Sequence, residues 1–249
     1  MATEGDFRRA QGAEALLERG ALPAGIFPAR EFLGADGAEG GDWGLSLFRG
    51  RLAEISGSSA SAVLTLAFDL VTEAQGLGEP AAWISERART FFPPDAAAAG
   101  ADLERLAVIL VPSPERAPAA ADTLVRSGGF GLVVVDLAGM EIGGGERGGR
   151  VRPASSERCV PLGIQSRLAA LAKRHGTAVV FLTEKPEGRP SLGPLVSLRV
   201  AAVRRETTAR GAGAGSKGLA VVEARILKDK RRGARIHRKE FCHGPPGWR

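Results

Sequence analysis

Residues 51–71 read RLAEISGSSASAVLTLAFDLV, and this stretch decides the fold class. Its first part, 51–56, alternates apolar and polar side chains, which is the period of a β-strand. From Leu64 to Val71 the apolar residues recur at the spacing of one helix face. Because only a short run of Gly, Ser and Ala separates the two patterns, the stretch predicts a strand, a tight loop and a helix.

The loop has the length and the setting of a phosphate-binding loop. Such a loop reads Gly, four residues, then Gly-Lys-Ser/Thr, because backbone wraps the phosphates, an ammonium reaches them and a hydroxyl holds magnesium. Here the last three positions are apolar, and residues 1–172 contain no lysine. Each missing charge-assisted contact removes about 1.5–3 kcal/mol of phosphate binding. We therefore expect a degenerate nucleotide loop, no bound cofactor and no ATPase activity. The loop residues are Gly57, Ser58, Ser59, Ala60, Ser61, Ala62, Val63 and Leu64.

A second interpretation of the loop is an ordinary turn between a strand and a helix. In that case Ser58 or Ser61 caps the helix, as serine does at many helix starts. The loop alone leaves both interpretations open, because a motif match without its charged members is weak evidence.

The rest of the chain alternates predicted strands and helices. Several of the strands are continuous apolar runs, as buried parallel strands are. The longer alternating strands beyond residue 195 favour an antiparallel hairpin. The predicted fold class is therefore α/β, with a mainly parallel sheet flanked by helices and an antiparallel C-terminal hairpin. Strands are predicted at 51–56, 81–85, 106–111, 131–136, 177–183, 195–204, 218–229 and 233–242, and helices near 60–75, 95–100, 115–127 and 161–175.

The first fifty residues are expected to form a separate part of the molecule. Residues 4–19 predict a short amphipathic helix, which needs a partner surface because so short a helix is unstable alone. Residues 20–50 are rich in Gly and Pro and predict an irregular connector that packs on the core. We expect residues 1–50 to be this helix and connector, and residues 51–249 to be the core. The candidate partner residues on the helix are Phe7, Leu16 and Leu17.

The composition narrows the class of protein. Of the 249 residues, 44% are hydrophobic, but no run approaches the roughly 18 apolar residues of a membrane span. The start of the sequence lacks a signal-peptide pattern, and two cysteines argue against a disulfide framework. His237, Cys242 and His243 make a poor zinc site because a fourth ligand is missing. We expect a cytoplasmic protein with no metal and no membrane partner.

Positive charge is concentrated towards the C-terminus. Residues 199–249 hold 14 Lys and Arg against 4 Asp and Glu, which leaves 20 against 24 in residues 1–198. This asymmetry indicates contact with nucleic acid or with an acidic protein surface. A solvated edge that only aids solubility is an equal alternative. The candidate stripe consists of Arg225, Lys228, Lys230, Arg231, Arg232, Arg235, Arg238 and Lys239.

A second possible nucleotide element ends at Asp136. Residues 130–136 form a hydrophobic strand that ends in a carboxylate, which holds the magnesium water shell in phosphate-loop nucleotidases. With the loop degenerate, Asp136 has no metal to serve. We prefer the interpretation that Asp136 caps the turn after its strand.

The order of these elements resembles the RecA superfamily. Residues 50–57 resemble the strand that enters the recombinase phosphate loop, and residues 127–136 resemble the second nucleotide strand. Within the superfamily the chain is most similar to ImuA, the RecA-like accessory proteins of translesion mutagenesis. That similarity rests on residues 82–85, 91–94, 99–106, 165–168 and 227–233.

The resemblance implies binding rather than turnover. It implies work in the SOS response beside an ImuB-type relative of Y-family polymerases and beside RecA, together with possible self-association and weak DNA binding. RecA-like proteins assemble when the N-terminal segment of one protomer docks on the core of the next. The alternative is an ATP-binding, DNA-dependent recombination ATPase that takes its lysine from Lys185, Lys217 or a neighbouring subunit.

Overall fold

The computed structural model describes six ranges of the chain, and these contain five α-helices and eight strands. The ranges are 43–58, 62–87, 91–138, 160–206, 219–232 and 237–243. The helices are α1 (Leu45–Phe48), α2 (Val63–Gly76), α3 (Pro93–Ala98), α4 (Ala117–Ser127) and α5 (Leu162–His175). The strands are β1 (Arg51–Gly57), β2 (Ala81–Glu86), β3 (Leu106–Val111), β4 (Leu132–Asp136), β5 (Ala178–Glu184), β6 (Leu198–Glu206), β7 (Leu219–Asp229) and β8 (His237–His243).

The strands of the described ranges form one sheet in the order β3-β2-β4-β5-β1-β6-β7-β8. The pairs from β3 to β6 are parallel, and β6–β7 and β7–β8 are antiparallel. The predicted α/β fold class, with its antiparallel C-terminal end, is therefore confirmed. Most strand limits agree with the prediction to within one residue. The exceptions are β6 and β8, which begin three or four residues later than predicted.

Helices cover the two faces of the sheet. On one face, α1 and α2 pack over apolar residues of β1, β2 and β4, and Phe68 stacks on the buried Trp83 with ring centroids 5.0 Å apart. On the other face, α4 and α5 pack over side chains such as Phe181 of β5. Both sides of the central strands are therefore buried, which explains why these strands read as apolar runs without alternation.

The helix α1 belongs to the predicted connector. Leu45, Leu47 and Phe48 are fully buried, and the N–H of Leu45 donates to the Glu73 carboxylate at 2.8 Å. The expectation that the connector packs on the core is thus confirmed for residues 43–50. The amphipathic helix predicted at residues 4–19, with Phe7, Leu16 and Leu17, lies outside the described residues. The division at residue 50 stays a prediction.

The connection from β5 to β6 has an unusual form. Both strands pair in parallel with β1, on its two sides, so residues 185–197 must cross one face of β1. Such a crossover is usually an α-helix. Here residues 185–197 contain no helix. We call these residues the crossover segment.

Candidate functional site

The start of α2 carries apolar residues where a phosphate loop carries its functional groups. Ala62 is the N-cap of α2, and its carbonyl accepts from the Leu66 N–H at 3.0 Å. Ala62 and Val63 are buried in the core, and Leu64 packs against it. This helix start therefore presents hydrocarbon inwards and has no side-chain cap. Ser58 does not cap the helix, and Ser59, Ala60 and Ser61 lie outside the described residues.

Asp136 lies at the carboxyl end of β4, beside the carboxyl end of β5, and β1 is the next strand beyond β5. The residue is buried, and its carboxylate accepts from the Ala138 N–H at 3.0 Å. This contact is the turn cap that the sequence favoured. In the described part of the chain, no group of three or more His, Cys, Asp or Glu side chains is arranged to hold a metal ion.

The most developed polar site lies in the middle of β1, where Glu54 points towards the crossover segment. Glu54 is fully buried, and its Oε2 accepts from the Leu192 N–H at 2.8 Å. Its Oε1 accepts from the Thr183 hydroxyl at 2.7 Å and lies 2.5 Å from the Lys185 ammonium. A buried carboxylate needs this density of donors, because an unpaired charge in the interior costs several kcal/mol. Glu54 thus ties the crossover segment to the sheet.

Two buried cations complete this anchor. Lys185 donates to the Pro190 carbonyl at 2.7 Å. Arg199 of β6 donates to the carbonyls of Pro186, at 3.1 Å, and Arg189. Burial lowers the pKa of Arg199, and the Glu54 carboxylate opposes that shift. The crossover carbonyls, which a helix would satisfy internally, are here satisfied by charged side chains.

Side chains of β7, which is separated from β1 by β6, also contact the crossover segment. Arg225 pairs with Glu187, and Lys228 donates to the Ser191 hydroxyl at 2.9 Å. Lys230, just after the strand, donates to the Pro194 carbonyl at 2.7 Å. The structure therefore brings Arg225, Lys228 and Lys230 of the predicted basic stripe together. These three side chains hold the crossover segment in place.

A β-bulge explains how these cations share one face. Residues 225 and 228 differ by an odd number, so a regular strand would place them on opposite faces. The pairing register shifts here, with Val200 opposite Ile226 but Arg199 opposite Lys228, so that Leu227 is the extra residue. A bulge re-aims the side chains that follow it. Lys228 therefore joins Arg225 over the crossover segment.

A second buried ion pair joins the start of β1 to the end of β7. Arg51 of β1 donates to Asp229 at 2.8 Å, and both side chains are almost inaccessible. Burial raises the pKa of Asp229, but the Arg231 N–H and the Arg51 guanidinium outweigh it, so the pKa is lowered overall. Arg231 also donates to the Gly50 carbonyl at 2.7 Å. Arg231 is thus partly committed to holding the strand ends together.

The remaining predicted residues are placed only in part. Arg232 lies in the turn after β7 and is exposed. Arg238 and Lys239 belong to β8, whose backbone pairs with β7. Arg235 and Lys217 lie outside the described residues. The sequence patterns did not single out Glu54, Thr183 and Arg199, although a carboxylate in the middle of a predicted strand was a visible signal.

None of the helices in the described ranges has the length and apolarity that a membrane crossing requires.

Comparison with known proteins places these features in a family. A family model of the RecA N-terminal domain matches residues 35–185. Protein RecA of Rubrobacter xylanophilus is 35% identical over 147 residues, which are 56% of this chain and 41% of that protein. Protein RecA of Heliobacterium modesticaldum is 30% identical over 177 residues, which are 71% of this chain and 46% of that protein.

The similarity covers part of each relative. Protein RecA of Chlorobium limicola is 35% identical over 132 residues, which are 53% of this chain and 36% of that protein. The matched part is thus less than half the length of each of these relatives. The family match nevertheless extends over β1, α2, β4 and β5, which are the strands and the helix around positions 57–64 and Asp136. The chain belongs to the family of the RecA N-terminal domain.

Proposed function

We propose that this protein is a non-catalytic RecA-like adaptor in DNA-damage-induced translesion synthesis, and that it acts through protein contacts as the ImuA resemblance implies. The observation that carries the proposal is the start of α2. Ala62, Val63 and Leu64 stand where the RecA-type loop has Gly-Lys-Ser/Thr, and the first two are buried in the core. These positions supply hydrocarbon to the fold and no charge to a phosphate.

Lys185, a described candidate for the missing lysine, is already engaged in the fold. Phosphoryl transfer depends on positive groups that surround the phosphates. Lys185 follows β5 at the correct edge of the sheet, but it is 4% exposed and paired with Glu54. Turning it towards a nucleotide would break a buried ion pair, which costs about 3–5 kcal/mol. This cost disfavours the alternative, a recombination ATPase that uses Lys185.

Nucleotide titration tests the catalytic half of the proposal. A fluorescent ATP analogue with magnesium should show no saturable binding at micromolar concentrations, and the rate of ATP hydrolysis should equal that of buffer. A RecA protein serves as the positive control. Micromolar binding together with hydrolysis that is lost in Asp136→Asn would refute the proposal in favour of the ATPase.

The edge strand β3 supports the adaptor half of the proposal. Among the described strands β3 pairs only with β2, so its outer edge offers backbone groups to another chain. Residues 106–111 read LAVILV, without a charge or a proline, and Val108 and Leu110 are 38% and 49% exposed. Edge strands are normally protected by charges or prolines. An apolar, unprotected edge suits a partner that adds a strand.

Binding measurements on purified proteins test this surface. In sedimentation velocity, the protein should form a complex with the ImuB-type protein or with RecA of the same organism. Leu110→Lys should abolish that complex, because it places a charge on the edge. Leu77→Lys is the matched control, since Leu77 is 59% exposed at the end of α2. Retention of the complex in both variants would exclude β3 as the surface, and absence of any complex with the native protein would refute the adaptor role.

A further inference from the structure

We infer that the crossover segment and the β7 cations beside it form a preorganised site for an acidic stretch of a partner protein. The site consists of residues 185–197 with Lys228 and Lys230. It lies over β1 and reaches to β7, in the half of the sheet away from β3. The inference therefore goes beyond the proposed function and stands on different observations.

The crossover segment is fixed before any ligand binds. Its anchor is the buried Glu54 carboxylate, which holds the Leu192 N–H at 2.8 Å and the Lys185 ammonium at 2.5 Å. Ser197 closes the far end, where its N–H donates to the Leu52 carbonyl at 2.9 Å. A segment held at both ends and in the middle loses little conformational entropy on binding, which raises affinity.

Positive charge on this surface is held in place without being cancelled. Arg225 is neutralised by Glu187. Lys228 and Lys230, in contrast, donate to a serine hydroxyl and a backbone carbonyl, which carry no charge. Each ammonium has three donors, so one such bond leaves it able to take a carboxylate as well.

The position of Lys228 favours an anionic ligand. Burial lowers the pKa of Lys228, and the positive charges of Lys230, Arg199 and Lys185 lower it further, against the single opposing effect of Glu54. The fold therefore keeps this ammonium among cations at a cost to its charged form. A carboxylate bound between Lys228 and Lys230 would offset part of that cost, because an opposite charge favours the charged form.

The chemistry of the surface fits a peptide better than a nucleic acid. Residues 185–197 and 219–232 contain no aromatic side chain, whereas single-stranded nucleic acid binding relies on base stacking. Three prolines, Pro186, Pro190 and Pro194, fix the backbone of the crossover segment. All three are exposed and provide a rigid apolar surface between the charges. Such a surface suits alternating carboxylate and apolar side chains.

Fluorescence anisotropy tests the inference on the full chain. The probe is a fluorescein-labelled nine-residue peptide that alternates Glu with Leu. We expect saturable binding that weakens as salt rises, because exposed charge pairs are screened. Lys228→Gln with Lys230→Gln should weaken binding at least about tenfold, because two charge-assisted contacts are lost. The matched control, Arg105→Gln with Arg116→Gln, removes two exposed charges near β3 and should change binding less than about twofold.

A third variant separates a preorganised site from simple charge attraction. Glu54→Gln raises the net charge by one, so bulk electrostatics alone would strengthen binding of the acidic peptide. Loss of the anchor should instead weaken it. Circular dichroism checks that each variant is folded. If Glu54→Gln does not fold, the double variant Lys228→Gln with Lys230→Gln tests the inference by itself.

Specific outcomes would overturn the inference. The first is that the native protein does not bind the peptide. The second is that the arginine control loses as much affinity as the lysine pair. The third is that an oligothymidylate of the same charge binds more tightly than the peptide and through the same two lysines. Leu110→Lys should leave peptide binding unchanged, so failure here and failure of the proposed adaptor role are distinguishable.

Discussion

The ion pair between Glu54 and Lys185 allows a quantitative prediction about stability. Both side chains are almost inaccessible, with 0% and 3% exposure, and the charged atoms lie 2.5 Å apart. Glu54→Gln keeps an oxygen for the Leu192 N–H but removes the carboxylate that balances the charge of the Lys185 ammonium in the interior. Removing one partner of a buried pair costs about 3–5 kcal/mol. That loss is a large share of the roughly 5–15 kcal/mol by which a domain is stable.

Lys185→Met completes a double-mutant cycle. It should be destabilising for the same reason, because the Glu54 carboxylate then keeps only uncharged donors and Arg199 at 4.0 Å. In the double variant no unpaired charge from this pair remains in the interior, and a buried pair replaced on both sides is often close to neutral. We therefore expect the double variant to be no less stable than the worse single variant. The coupling free energy should reach about 2 kcal/mol or more.

Urea unfolding followed by tryptophan fluorescence measures the cycle. Trp83 is fully buried and stacked on Phe68, so its emission reports the loss of the core. With a slope of about 2–3 kcal/mol per molar urea, a loss of about 3–5 kcal/mol moves the midpoint by roughly 1–2.5 M. Costs that simply add, to within about 0.5 kcal/mol, would show that the two charges do not interact and would refute the anchor.

The remaining predictions concern acid stability and helix ends. Because the pKa of Asp229 is lowered in the folded state, the unfolded chain binds more protons as the pH falls. The stabilisation is therefore present above the unfolded-state pKa of about 3.9 and is lost as the pH falls through the folded one. In Asp229→Asn the urea midpoint should fall less between pH 5 and pH 3 than in the native protein. The same fall in both proteins would contradict the ion pair with Arg51. Gly176→Ala should cost about 1 kcal/mol in thermal unfolding, since Gly176 ends α5 with φ 72°. Gly163→Ala, in the same helix with open space around it, should stabilise the fold by up to about 1 kcal/mol, and the same sign for both would contradict the assignment.

Much of the sheet was predictable because its strands have local sequence patterns that differ from those of helices and loops. Residues 106–111 and 132–135 are uninterrupted apolar runs, and each lies in a strand within one residue of the predicted limits. The change to alternating strands beyond residue 195 also located the antiparallel end of the sheet. These features are local, since they depend on which side chains a strand buries.

The anchor was not predictable, because it joins residues far apart in sequence. Glu54 meets Thr183, Leu192 and Arg199, which follow it by more than 120 positions. The faces of Arg225 and Lys228 depend on a bulge at Leu227, and nothing local in a run of alternating residues marks that extra residue. The charge count located the basic strands correctly. It could not show that the crossover segment would occupy several of their donors.

The geometry of β1 joins the two halves of the interpretation. One strand carries Gly57 at its carboxyl end, where the connection to α2 begins, and Glu54 in its middle, under the crossover segment. In a nucleotide-dependent protein a bound ligand can order the segments around it, because it binds one arrangement more tightly than the others. Here the crossover segment is ordered by a carboxylate that belongs to the fold. A surface held in this way needs no nucleotide to form it. Apolar residues at positions 62–64 are therefore compatible with an ordered crossover segment.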